Sequence, residues 1–81
     1  MIIFSEHALL KLKQRNISQP LVIKSLEFPD YTFDSCGERK IVYKKFGKLY
    51  LKVVYIKEET NIIVITQHWE ENSKLIRKKW K

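Results

Sequence analysis

One cysteine, Cys36, stands in the whole chain of 81 residues, so an internal disulfide is impossible. That usage fits a reducing compartment. Cys36 sits beside Gly37 with no obvious base next to it in sequence, which makes it an ordinary turn residue rather than a nucleophile. No apolar run reaches the length that spans a membrane. The opening Met1-Ile2-Ile3-Phe4 is too short for a signal peptide and has no basic start, so a cytoplasmic location is expected. There is no internal repeat. Two distant histidines and scattered carboxylates offer no metal-ligand spacing, so no metal and no cofactor is expected. Acidic charge is scarce too: nine Asp plus Glu face sixteen Lys plus Arg, a net of +7. So much positive charge on a small body favours an anionic partner, either nucleic acid or an acidic protein segment.

What is present is a strand-rich C-terminal half. The run Leu49-Tyr50-Leu51-Lys52-Val53-Val54-Tyr55-Ile56 is dense in β-branched and aromatic residues. Similar runs flank it, residues 39–46 before and 61–69 after. The gaps are Gly47-Lys48 and Glu58-Glu59-Thr60, short enough for hairpin turns. The three runs therefore predict an antiparallel meander.

Before the meander, residues 1–4 read as a short strand. Ser5 caps a helix that runs to about Arg15, and Asn16 suits the left-handed residue that ends it. Ala8, Leu9 and Leu12 form its buried stripe; His7, Lys11 and Arg15 line one face beside it. Ser18 caps a second helix with Pro20 in its first turn, and Phe28-Pro29-Asp30 ends it. Residues 31–35 read as a short edge strand. The fold class is α+β: two N-terminal helices packed on an antiparallel sheet, within one domain over residues 1–69.

Side-chain alternation divides the meander's faces. With two-residue turns at Gly47-Lys48 and Glu59-Thr60, Lys45 faces Tyr50, Val54 faces Ile65 and Lys52 faces Gln67. The core face then carries Val42, Phe46, Leu49, Leu51, Val53, Tyr55, Ile62 and Val64, with His68 on that side as a structural edge residue. The other face carries Arg39, Ile41, Tyr43, Lys45, Tyr50, Lys52, Val54, Ile63, Ile65 and Gln67. Cations interleaved with aromatics on an open sheet suit RNA, the cations for phosphates and the rings for unpaired bases. They equally suit strand solubility and edge protection.

Residues 70–81 form a basic tail, with Lys74, Arg77, Lys78, Lys79 and Lys81 interleaved with Leu75, Ile76 and Trp80. It reads as a short helix adding phosphate contacts through Arg77 and Lys78, as a frayed tail, or as a segment packing Trp80 on a neighbouring subunit.

Phe4-Ser5-Glu6-His7-Ala8, Lys11 and Arg15-Asn16-Ile17-Ser18 resemble the opening of a small, little-characterised domain family of the pattern F-x-x-H-A-x-x-R-x-x-x-R-x-I-S. Phe28-Pro29-Asp30, Val53-Val54-Tyr55 and Val64-Ile65-Thr66 follow in matching order, so the likeness covers about residues 4–68. The chain departs at Lys11, often arginine there, and at Asn16, often glycine. That family is similar to the RelE/ParE toxin superfamily, which implies a β-α-α-β-β-β fold. The resemblance implies action on mRNA or the ribosome in RelE-like members and on gyrase in ParE-like members, with neutralisation by an antitoxin segment.

RelE-like enzymes work mainly with Lys, Arg and Tyr. On that pattern Lys52 and Arg39 would steady the phosphorane, and Tyr43 or Tyr50 would orient or protonate. Lys45, Tyr50, Lys11, Arg15, Arg77 and Lys78 would bind the nucleic acid. Cleavage through a 2′-hydroxyl also needs proton transfer near neutrality, and this set contains no group that normally titrates there. The two histidines are the natural alternatives: His7 on the helical stripe, whose other reading is a capping or packing contact, and His68, better read as a structural edge residue. An RNA endoribonuclease, a non-catalytic nucleic-acid module and a protein-interaction domain all remain open, as does the oligomeric state.

Overall fold

The computed structural model describes residues 1–35 and 37–71. Its elements are β1 (Ile2–Phe4), α1 (Glu6–Gln14), α2 (Gln19–Glu27), β2 (Tyr31–Asp34), β3 (Arg39–Phe46), β4 (Leu49–Glu58) and β5 (Asn61–Glu71). The fold is α+β, two helices on one five-stranded mixed sheet in the order β1-β5-β4-β3-β2. The sheet is not wholly antiparallel as expected: β1 pairs parallel to β5. Parallel neighbours need a long connection, and almost the whole chain lies between these two. The described order also has one strand more than a β-α-α-β-β-β layout, because β2 precedes the meander. β5 runs to Glu71, two residues past the expected domain boundary. Cys36 and the tail residues Lys74, Arg77, Lys78 and Trp80 lie outside the described residues.

The helix signals work locally. The Ser5 hydroxyl accepts from the Ala8 backbone N–H at 3.1 Å. At the other end Asn16 takes φ 54°, and the Ile17 N–H reaches back to the Leu12 carbonyl at 2.9 Å. That i to i−5 bond closes a left-handed C-terminal cap, with Ile17 and Leu12 both buried in the core. Ser18 begins α2 by position only; its side chain makes no capping bond among the described residues.

Both helices lie on one face of the sheet. Ala8, Leu12, Ile17 and Val22 pack there against Val42, Leu51, Val53 and Val64, with Phe46, Tyr55 and Trp69 around them. Leu9, expected in this stripe, is 46% exposed, and Leu49 is 38% exposed. Leu9 follows Ala8 by one position, about 100° round the helix, which turns it off the sheet. Leu49 sits at the start of its strand beside the turn, where the helices do not reach.

The first hairpin has the expected register: Phe46 faces Leu49 and Lys45 faces Tyr50. The second begins as expected, with Glu58 opposite Asn61 and Tyr55 opposite Val64. A β-bulge then intervenes. Val54 pairs with Thr66, not Ile65, and Lys52 pairs with His68, not Gln67. One extra residue in β5 reverses the facing of everything after it. Gln67 turns into the core, where it is fully buried, and Trp69 turns in beside Phe46, their rings edge to face at 6.3 Å. His68, expected on the core side, turns outward.

Candidate functional site

The sheet face opposite the two described helices is not the open platform its alternation suggested. Tyr43 and Tyr50 are 2% and 7% exposed. They form a second apolar cluster with Tyr31, Phe33 and Ile41 packed against them. Phe33 meets Tyr43 edge to face at 5.6 Å, and Tyr31 lies 5.9 Å from Tyr50. Among the described residues β2 contributes to this, its alternating Tyr31 and Phe33 coming into register with Tyr43 and Ile41. Neither Tyr43 nor Tyr50 therefore offers a ring for stacking on bases. Burial, with a hydrogen bond to Tyr31, pushes the Tyr50 phenol above its ordinary 10.0.

Across this face the register sets one row of four polar side chains from four strands. Tyr31 of β2 is opposite Tyr43, Tyr43 is opposite Lys52, and Lys52 is opposite His68 of β5. Neighbours in such a row have Cβ atoms about 5 Å apart. The next row holds Lys45, Tyr50 and Glu70. Lys52 and His68 are half-buried, whereas Lys45 is exposed. A hollow of about 170 Å³ lies beside the row, lined by Phe33, Ile41, Tyr43 and Lys52. It is smaller than the roughly 300 Å³ at which small-molecule pockets begin, so it suits one edge of a larger molecule.

The other candidates fall elsewhere. Arg39 shares this face but pairs with Ile56, four residues along β3 from Tyr43. At 3.3 Å per residue that is about 13 Å from the row, too far to share one phosphate with Lys52. It lines a larger hollow with Asp34, Lys40 and Lys57, where Lys40 is tied to Asp34 at 3.0 Å. The hydrogen bond and charge of Asp34 raise the Lys40 ammonium above its usual value.

His7, Lys11 and Arg15 belong to α1 and its cap, on the opposite face of the sheet. His7 is exposed there and does not meet Lys52. Lys11 Nζ bonds Gln14 Oε1 at 2.8 Å. Arg15 is occupied by β5: its guanidinium donates to the Gln67 carbonyl at 2.9 Å and to Thr66 Oγ1 at 3.3 Å. It braces the strand just past the bulge.

His68 is the member of the row that alternation placed wrongly. The one available signal was Trp69. Strict alternation would have turned that large ring outward and Thr66 inward, and a single-residue bulge repairs both. Among the described residues no three His, Cys, Asp or Glu side chains cluster to hold a metal. Nor is any described helix long and apolar enough to cross a membrane.

A small α+β domain with a tyrosine, lysine and histidine row on the sheet face opposite its two described helices is the class these elements define. The chain belongs to the family described as Domain of unknown function (DUF4258), whose model matches residues 4–67. No curated protein and no solved structure matches the chain.

Proposed function

We propose that this domain is a RelE-like, toxin-type protein that binds RNA across the sheet face opposite α1 and α2 and acts on it as an endoribonuclease. One observation carries the reading: Lys52 stands in a row with Tyr43 and His68 on that face, in a chain of net charge +7. A half-buried cation beside an imidazole suits an RNA phosphate and the charge that develops on it. Lys45 and Arg39, both exposed, extend the cationic track along the same face. The RelE/ParE likeness rests on the resemblance of residues 4–68 to a domain family that is itself similar to that superfamily.

Burial of Tyr43 and Tyr50 narrows the mode of binding. With those two rings withdrawn, recognition runs more through the backbone than the bases, so weak sequence preference is expected. Messenger RNA on the ribosome is the substrate class that the resemblance implies. An acidic antitoxin segment would compete for the same cations.

The test is labelled single-stranded RNA, with and without ribosomes, offered to the unaltered chain and to Lys52→Ala. Binding and cleavage that Lys52→Ala loses while keeping its circular dichroism spectrum support the reading. Equal activity in both proteins would overturn it.

A further inference from the structure

Resting on that RNA reading, we infer that His68 is the proton-accepting group of the Lys52 site, set there by the bulge in β5. The bulge is held in place. The Ser5 N–H donates to the Val64 carbonyl at 3.0 Å, and the Ser5 hydroxyl donates to the carbonyl of Ile65 at 3.2 Å. Arg15 grips the Gln67 carbonyl two residues on. Inside the core, the Gln67 side-chain amide donates to the Ala8 carbonyl at 2.9 Å. A one-residue slip of β5 would break all of these and drive Trp69 out of the core. His68 is therefore aimed by α1 and its cap, although it lies on the face that α1 does not touch. Bulges commonly re-aim a side chain in this way beside a working site.

The chemistry supplies what a lysine and tyrosine set lacks. Imidazole is the side chain whose ordinary titration lies near neutrality. Neutral His68 takes the proton of a ribose 2′-hydroxyl. The 2′-oxygen bonds to the adjacent phosphorus, and the bond from phosphorus to the 5′-oxygen breaks. The Lys52 ammonium, already against the phosphate, gives a proton to the departing oxygen. The products are a 2′,3′-cyclic phosphate and a 5′-hydroxyl. The proton on His68 then returns to the Lys52 amine through water, and the step balances without any co-reactant. Among the described residues, the charged and titratable groups facing His68 are Lys52 from β4, Glu70 two residues on along β5, Tyr50 in the adjacent row, and Tyr43 and Tyr31 further along its own row.

The experiment is single-turnover cleavage of a labelled RNA, with and without ribosomes, between pH 5 and 8. It compares the unaltered chain, His68→Gln, and a substrate with a 2′-deoxy sugar at the cleaved position. The unaltered chain should gain rate as pH rises and the imidazole loses its proton. His68→Gln should keep its RNA affinity but lose cleavage by roughly 10²–10⁴-fold, together with that pH limb. The 2′-deoxy substrate should not be cut.

Cleavage by His68→Gln at the unaltered rate would overturn the inference and leave the RNA reading standing. A flat pH profile in the unaltered chain would do the same, and decides the matter even if His68→Gln fails to fold. Binding without any cleavage also removes this role for His68 while leaving an RNA-binding module. Neither binding nor cleavage overturns both.

Discussion

Gln67 donates its side-chain amide to the carbonyl of Ala8 at 2.9 Å, joining β5 to α1 inside the core. A buried glutamine costs free energy where it is not paired; here the bulge turns residue 67 inward so that Nε2 finds a partner, while the buried Oε1 has none among the described residues. Ala8 sits within α1, so its carbonyl keeps a helical partner if the glutamine is removed. Gln67→Ala should thus cost mostly through the cavity it leaves, about 2–3 kcal/mol. Gln67→Met refills the volume and should cost less than about 1 kcal/mol. Urea unfolding of both variants checks this; equal losses would show that the hydrogen bond, not the packing, matters.

Ser5 carries two duties at once. Its oxygen caps α1 through the Ala8 N–H and its proton satisfies the Ile65 carbonyl at the bulge. Ser5→Ala should cost about 1–2 kcal/mol, at the upper end for a helix cap. Hydrogen exchange should rise in the first turn of α1 and also at the bulge. Faster exchange confined to α1 would separate the two duties.

Alkaline stability should follow Tyr50. Burial, then the hydrogen bond with Tyr31, raises the phenol in the folded state. Above the unfolded value of 10.0 the unfolded chain releases a proton that the folded chain retains. Stability is therefore intact below that pH and falls as pH rises through the folded value. Thermal melts from pH 9 upward should show the decline, and Tyr50→Phe should reduce its slope.

Arg39 and Lys52 should separate in their effects. About 13 Å of strand lies between Arg39 and the row, so on the proposed RNA binding the two would meet different phosphates of one bound strand. Arg39→Ala should weaken RNA affinity and flatten its salt dependence by about one counterion, with the cleavage rate at saturation little changed. Lys52→Ala should lower the rate at saturation as well. Salt-titrated binding alongside single-turnover rates distinguishes them.

Much of the fold was legible because its signals are local. Ser5, Asn16 and Phe28-Pro29 mark helix ends through their own hydrogen bonds and dihedrals, and Gly47-Lys48 sets the first hairpin. These features need no knowledge of distant residues. Leu9 was misjudged because its place in the stripe depends on how α1 is rolled against the sheet.

The residues of the candidate site were in view, but their grouping was not. Lys52 and Tyr43 follow from the first hairpin alone. His68 joins them only through the bulge, and the bulge is a tertiary event. It exists because Trp69 and Gln67 find room beneath α1, while Ser5 and Arg15 satisfy the carbonyls that the irregularity leaves. Arg15 itself reads as a free cation until β5 is seen beside it.

The sequence by itself determined the element types, the first hairpin register, the basic charge and the core valines and leucines, since periodicity and turn chemistry act over a few residues. Tertiary structure decided the parallel pairing of β1, the burial of Tyr43 and Tyr50, and the side on which His68 stands. Each of those depends on contacts between residues far apart in the chain, and a single extra residue in β5 is enough to reverse a face.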